Sequence, residues 1–209
     1  MLEQSERRII LVRALIEAIE PIIDAGTPYA ALSVERIIRA VGVSRATFYS
    51  YFKDKGDLLR AMAEDLTADI GEGSEAWWRL ADNAGRDELR EALRPAIDAY
   101  LQHRILIRAV AETAAYDDHV RETYGALMSQ TIDHLSAHIT GQQARGLAAP
   151  ELDPERTATW LVWMLERGFY QAVSIADPDA VEPWVESLTD LIWRMVYAGA
   201  RPELRRAAS

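Results

Sequence analysis

The chain has 209 residues, 49% of them apolar and 27% charged, with a formal net charge of −10 and no cysteine. That length holds one core or two small ones, not a large multidomain enzyme, and the composition is that of a globular chain. The missing cysteine excludes a disulfide framework, a zinc–thiolate site and a cysteine nucleophile.

The charge is uneven. Residues 1–60 carry nine basic and eight acidic side chains, and residues 61–209 carry fourteen and twenty-five. Such asymmetry suggests two jobs in one chain. Lys53 and Lys55 are the two lysines, against twenty-one arginines, so phosphate binding is expected near them. No apolar run approaches the roughly 20 residues of a membrane span. Glu3 and Glu6 precede the first apolar stretch, unlike a secretory leader. A soluble cytoplasmic protein with no membrane partner is expected.

The elements read as helices. Over residues 6–25, Ile9, Val12, Ile16, Ile19 and Ile23 recur at steps of three and four, and Pro21 predicts a kink or break near the end. Gly26-Thr27-Pro28 is a turn. Ser33 offers an N-cap oxygen for a short helix reaching Val41, with Arg36 where a capping box would place Glu. Gly42 should end that helix in the left-handed region. Ser44 caps the next helix, residues 45–52. Lys53-Asp54-Lys55-Gly56 turns again, and Asp57 opens a helix toward Asp69. Gly71-Glu72-Gly73-Ser74 is either a loop or a weak place in that helix.

Five further helices are expected over residues 87–102, 104–116, 118–145, 153–175 and 178–197. Pro95 should kink the first. Residues 145–154 form the clearest loop, and Asp153-Pro154 and Asp177-Pro178 each start a helix with an acidic cap and proline at the first position.

Residues 33–55 have the outline of a helix-turn-helix: a short helix, a glycine-containing turn, and a second helix able to enter a major groove. Val34, Ile37, Ile38, Val41, Val43, Phe48 and Phe52 form the inward set. Ser44, Arg45, Thr47, Tyr49, Ser50 and Tyr51 can all hydrogen-bond, and none is acidic. Phosphate contact requires such donors. The pattern alone leaves open a helical hairpin with a satisfied polar face.

The string Val43-Ser44-Arg45-Ala46-Thr47-Phe48-Tyr49-Ser50-Tyr51-Phe52-Lys53-Asp54-Lys55 closely resembles the signature of the TetR family of bacterial transcriptional repressors. Ile38 departs from the small residue usual where the two motif helices cross. The resemblance implies that Thr47, Tyr49, Tyr51 and Lys55 donate to phosphates and that Ser44 both caps and contacts phosphate. It places Arg45, Ala46 and Ser50 toward base edges, Arg45 being suited to guanine. Tyr49 as a core aromatic, and Arg45 on phosphate only, stay open.

Further on, Trp160 to Tyr170 and Leu191-Ile192-Trp193-Arg194 resemble helices of the mycobacterial EthR-type branch of that family. That likeness implies a tunnel for a hydrophobic small molecule, lined at Tyr100, Tyr124, Met128, Thr131, Leu135, Leu165, Phe169, Tyr170 and Trp193. Aromatic walls with few polar anchors suit such a ligand, although the same residues at helical spacing suit a plain core. The branch has asparagines where this chain has Val162 and Leu165, so either the ligand lacks a carbonyl to anchor or the hydrogen bond comes from elsewhere, such as Glu166 or Thr131. Apolar surface at Trp160, Trp163, Phe169, Trp184, Leu188, Leu191 and Met195 predicts a two-fold dimer through the last two helices.

His134 and His138 lie four apart, but without a third ligand they read as solvent-facing rather than metal-binding. No catalytic residues, metal or cofactor are expected. The expectation is an all-α chain: a three-helix helix-turn-helix domain, residues 1–56, then a larger helical ligand-binding and dimerisation domain, residues 57–209. Its function would be regulation of transcription, as a repressor that binds a palindromic double-stranded operator as a homodimer and is released by a hydrophobic effector. The alternatives are a dimeric ligand-binding protein whose helix-turn-helix no longer binds DNA, and a helical enzyme using the aromatic cavity.

Overall fold

The computed structural model describes residues 4–173 and 181–199, and among these it is helical with no strand. Helix α1 is Gln4–Asp24, α2 Val34–Val41, α3 Arg45–Tyr51, α4 Lys55–Trp78 and α5 Arg86–Gln102. Then come α6 Arg104–Ala114, α7 Asp118–Ala144, α8 Pro154–Gly168 and α9 Val181–Ile192. Helices α8 and α9 widen into π-helical turns at Phe169–Val173 and Trp193–Tyr197.

Two compact units result. One combines the described residues up to Asp69 with His103–Leu127; the other combines Ile70–Gln102 with the described residues from Met128 onward. In the first, Val12, Leu15, Ile16, Ile19 and Ile23 of α1 pack with Phe48 of α3 and Phe52 just after it, Leu58, Leu59 and Met62 of α4, and Leu106 of α6. In the second, Trp77 packs with Leu89, Leu93 and Ile97 of α5, Leu135 and Ile139 of α7, Leu161 of α8 and Val185 of α9.

Sequence and structure differ at several places. Ile9 is half exposed, so the buried stripe of α1 starts at Val12. The chain stays helical through Pro21, which lies on the exposed side near the end, where one missing backbone donor is cheaply replaced by water. Helix α4 begins at Lys55 rather than Asp57 and runs unbroken through Gly71 and Gly73. Gly73 has a packing reason: a Cβ there would meet the Ala96 nitrogen at 2.8 Å and the Pro95 carbonyl carbon at 2.9 Å. The bare glycine lets α4 lie against the backbone of α5. The start at Asp177-Pro178 and the end of the 153–175 helix lie outside the described residues.

Helices α5 and α9 are joined by an antiparallel ladder of charge. Arg86 pairs with Glu186 and Asp190, Arg90 with Glu182 and Glu186, and Arg94 with Glu182. Partial exposure makes each pair weak alone, but shared partners make them a network.

Candidate nucleic-acid interface and effector site

The helix-turn-helix is set by local chemistry. Ser33 has extended backbone and its Oγ accepts the Arg36 amide at 3.2 Å, fixing the start of α2. Gly42 ends α2 with φ +76°, a conformation in which any side chain is strained. Two residues later Ser44 repeats the cap, its Oγ accepting the Thr47 amide at 3.0 Å and lying 2.8 Å from the Thr47 hydroxyl. Phe48 and Phe52 pin α3 to the core, their ring centroids 5.4 Å apart. Ile38 is half-buried against the same cluster.

That anchoring leaves one face of α3 outside. Ser44, Arg45, Ala46, Thr47, Tyr49 and Ser50 are exposed and Tyr51 is half-buried. Tyr49 is 47% exposed, its ring edge-on to Phe48 at 5.3 Å, so it is not a core aromatic. The Ser50 hydroxyl donates to the Thr47 carbonyl at 2.7 Å. Arg45 is not idle: it pairs with Glu35 at 3.0 Å and its guanidinium lies 5.9 Å from the centre of the Tyr49 ring.

Lys55 stands differently from its neighbours. Its ammonium donates to the Ala30 carbonyl and reaches the Leu32 carbonyl at 3.4 Å, while the Tyr29 hydroxyl donates to the Lys55 carbonyl at 2.6 Å. These bonds tie the start of α4 to the turn before α2. Burial, reinforced by the charge of Asp54, holds the Tyr29 hydroxyl protonated far above the usual range. The start of α4 is closed by a reciprocal cap. The Asp54 carboxylate accepts the Asp57 amide at 2.8 Å, and the Asp57 carboxylate accepts the Lys53 amide at 2.9 Å.

Of the nine expected effector-site residues, eight fall in the second compact unit and Tyr124 falls in the first. Tyr100 is buried, with its ring 4.7 Å from that of Phe169. Burial, then the charge of Glu166, pushes the Tyr100 hydroxyl well above its ordinary range. Leu135 is buried in that unit's core, and Met128, Phe169 and Trp193 pack against it half-buried. Thr131, Leu165 and Tyr170 are also half-buried, and Arg167 lies 5.2 Å from the Tyr170 ring centre. Among the two anchor candidates, Glu166 carries a side chain only 9% exposed. An open depression of about 490 Å³, lined by Ala76, Asp87, Glu88, Glu91 and Ala92, uses none of these nine residues.

His138 is the clearest correction. It is not solvent-facing: its Nε2 lies 3.0 Å from the Tyr197 hydroxyl, which accepts the Trp77 indole N–H at 2.8 Å. Burial, then the positive charge of Arg145, lowers its pKa to about 4. Neutral imidazole with Nε2 as acceptor satisfies both partners. His103, at the start of α6, lies 3.8 Å from Glu20 and 3.4 Å from Asp69, and the Glu20 carboxylate leads in raising its pKa above the usual value. Neither contact was visible in sequence, because the partners are distant along the chain. The α5–α9 ladder had a signal: Arg86, Arg90 and Arg94 repeat every four residues, as do Glu182, Glu186 and Asp190.

Comparison with known proteins places this geometry. The family of bacterial regulatory proteins called tetR matches residues 25–62, and the C-terminal domain of the transcriptional regulator EthR matches residues 89–198. The HTH-type transcriptional regulator EthR of Mycobacterium tuberculosis (strain CDC 1551 / Oshkosh) is 26% identical over 170 residues, covering 79% of this chain and 77% of that protein. The EthR of Mycolicibacterium smegmatis is also 26% identical, over 81% of this chain and 78% of that one. Among solved structures, Salmonella enterica GusR superposes with a TM-score of 0.71 at 18% identity, over 93% of this chain and 98% of that one. The regulatory protein TetR from Rhodobacter sphaeroides gives 0.68 at 20%, over 93% and 100%.

Proposed function

The chain belongs to the TetR family of bacterial regulatory proteins and carries the EthR C-terminal domain, and on that premise we propose that it is a repressor released from DNA by a hydrophobic small molecule. It is a transcriptional regulator with a DNA-binding region and a C-terminal ligand-binding domain. The observation that carries the DNA-binding part of this proposal is the exposed face of α3, which bears no acidic residue of its own, is capped by Ser44 and is anchored from behind by Phe48 and Phe52. Ser44, Thr47, Tyr49 and Tyr51 supply phosphate donors, and Arg45, Ala46 and Ser50 face the bases. Lys55 contributes once its ammonium exchanges a carbonyl for a phosphate.

Function divides at residues 56 and 57: DNA reading before, effector binding and dimerisation after. Exposed Trp160, Trp163, Trp184 and Leu191 on α8 and α9 support a two-fold interface there, which makes the operator a palindrome. The effector is apolar and aromatic-seeking, held by Tyr100, Phe169, Trp193 and their neighbours, and the dimer works in the cytoplasm, where the chromosome is. Ligand favours a different separation of the two recognition helices, transmitted through α4, and shifts the equilibrium only by its differential affinity for the two states.

The test is a screen of apolar aromatic compounds by thermal shift, followed by operator release. Compounds that raise the melting temperature should weaken operator binding by the same factor by which DNA weakens them. Tight binders that leave operator affinity unchanged would contradict the regulatory reading.

A further inference from the structure

We infer that Glu35 is a positioning residue for base reading: it holds Arg45 in the orientation that reads a base edge, so that part of the operator specificity resides on α2. Glu35 lies in the first turn of α2, where the positive end of the helix dipole favours a carboxylate. Arg45 is the first residue of α3. The contact between Glu35 Oε1 and Arg45 Nη2 is 3.0 Å, and it engages one guanidinium nitrogen, leaving donors for a base. From the other side the guanidinium rests over Tyr49, one turn along α3, at 5.9 Å from the ring centre. A long side chain with several free torsions is therefore held at two points on two helices.

The pair is too exposed to matter for folding: the side chains of Arg45 and Glu35 are 64% and 50% accessible. Its effect belongs to the DNA interface. A free guanidinium on α3 can go to the nearest phosphate, which binds any sequence. One tied to Glu35 is partly neutralised toward phosphate, while Glu35 itself repels the backbone. The pair thus exchanges general affinity for discrimination.

This inference rests on the DNA-binding reading above. Its test uses the full-length protein, a duplex selected by that protein from random DNA, and single base-pair variants of the duplex across a salt series. Arg45→Ala should abolish discrimination at one base pair, about 5- to 150-fold for a bidentate contact. Glu35→Gln should lose most of the same discrimination at that base pair alone. It should also bind unrelated DNA more tightly, with a salt slope steeper by about one unit as Arg45 takes a phosphate. Glu35→Asp should restore part of the discrimination. In an Arg45→Ala background Glu35→Gln should leave the discrimination profile unchanged. The inference is overturned if Glu35→Gln alters binding to every duplex by one common factor, or alters the profile equally with Arg45 removed. Absence of any selected duplex with the unsubstituted protein would overturn both this and the DNA-binding reading.

Discussion

His138 and His103 sit in opposite electrostatic settings and should answer pH in opposite senses. His138 has a folded pKa of about 4, below that of an unfolded histidine near 6.5. As pH falls between those values the unfolded chain takes a proton that the folded chain refuses. Stability from this group is therefore full above about 6.5 and declines toward pH 4, by up to about 3 kcal/mol. His103 is raised by Glu20, so its contribution is full below about 6.5 and fades as pH rises through the raised value. Unfolding free energy measured from pH 7 to 4 should fall less steeply in His138→Phe than in the parent; equal slopes would contradict the buried neutral assignment. How much was legible at this scale depended on distance along the chain. Ser33, Gly42 and Ser44 were readable because their partners lie within five residues. His138 was not, because Tyr197 lies 59 residues away.

At the scale of elements the same rule holds. Helices α2 and α3 follow from caps and a left-handed glycine, all local. Helix α4 did not, because Gly71 and Gly73 look alike in sequence and differ only in what surrounds them. Gly71 has nothing within 4 Å of a would-be Cβ, whereas Gly73 abuts the backbone of Pro95 and Ala96. Gly71→Ala should thus stabilise by up to about 1 kcal/mol through helix propensity. Gly73→Ala should destabilise by about 1–2 kcal/mol net, since neither backbone can yield cheaply. Urea unfolding of both variants checks this, and a stabilised Gly73→Ala would show that α4 and α5 do not meet so closely. The aromatic stripe of the proposed effector site was readable as apolar, but not as pocket rather than core. Tyr100 against Phe169 suits a core and a pocket wall alike.

For the molecule as a whole, the C-terminal region must explain why it leaves tryptophan in water. Trp160 is 76% exposed on α8, and Trp184 and Leu191 are nearly half exposed on α9. Such surface on a regulator is best covered by a second copy. Trp160→Glu should keep its helical spectrum and melting behaviour, yet weaken self-association at least tenfold in sedimentation. A dimer of undiminished strength would place the interface elsewhere. Net charge of −10 alone would count against nucleic acid, but the near-balance of residues 1–60 and the exposed donors of α3 count for it locally.

This acidic protein is proposed to grip DNA through α3. Binding of the full-length protein to the intergenic DNA beside its own gene and to a selected duplex, measured across a salt series beside Tyr49→Phe and Lys55→Ala, puts this to the test. Log affinity should fall steeply and linearly with log salt, and both substitutions should weaken binding. Tyr49→Phe should act without loss of stability, because Tyr49 is nearly half exposed and its ring contact with Phe48 needs no hydroxyl. Lys55→Ala should also lower the melting temperature, because the lysine ties α4 to the turn before α2. Salt-insensitive binding, or binding that Tyr49→Phe and Lys55→Ala both leave untouched, would contradict it.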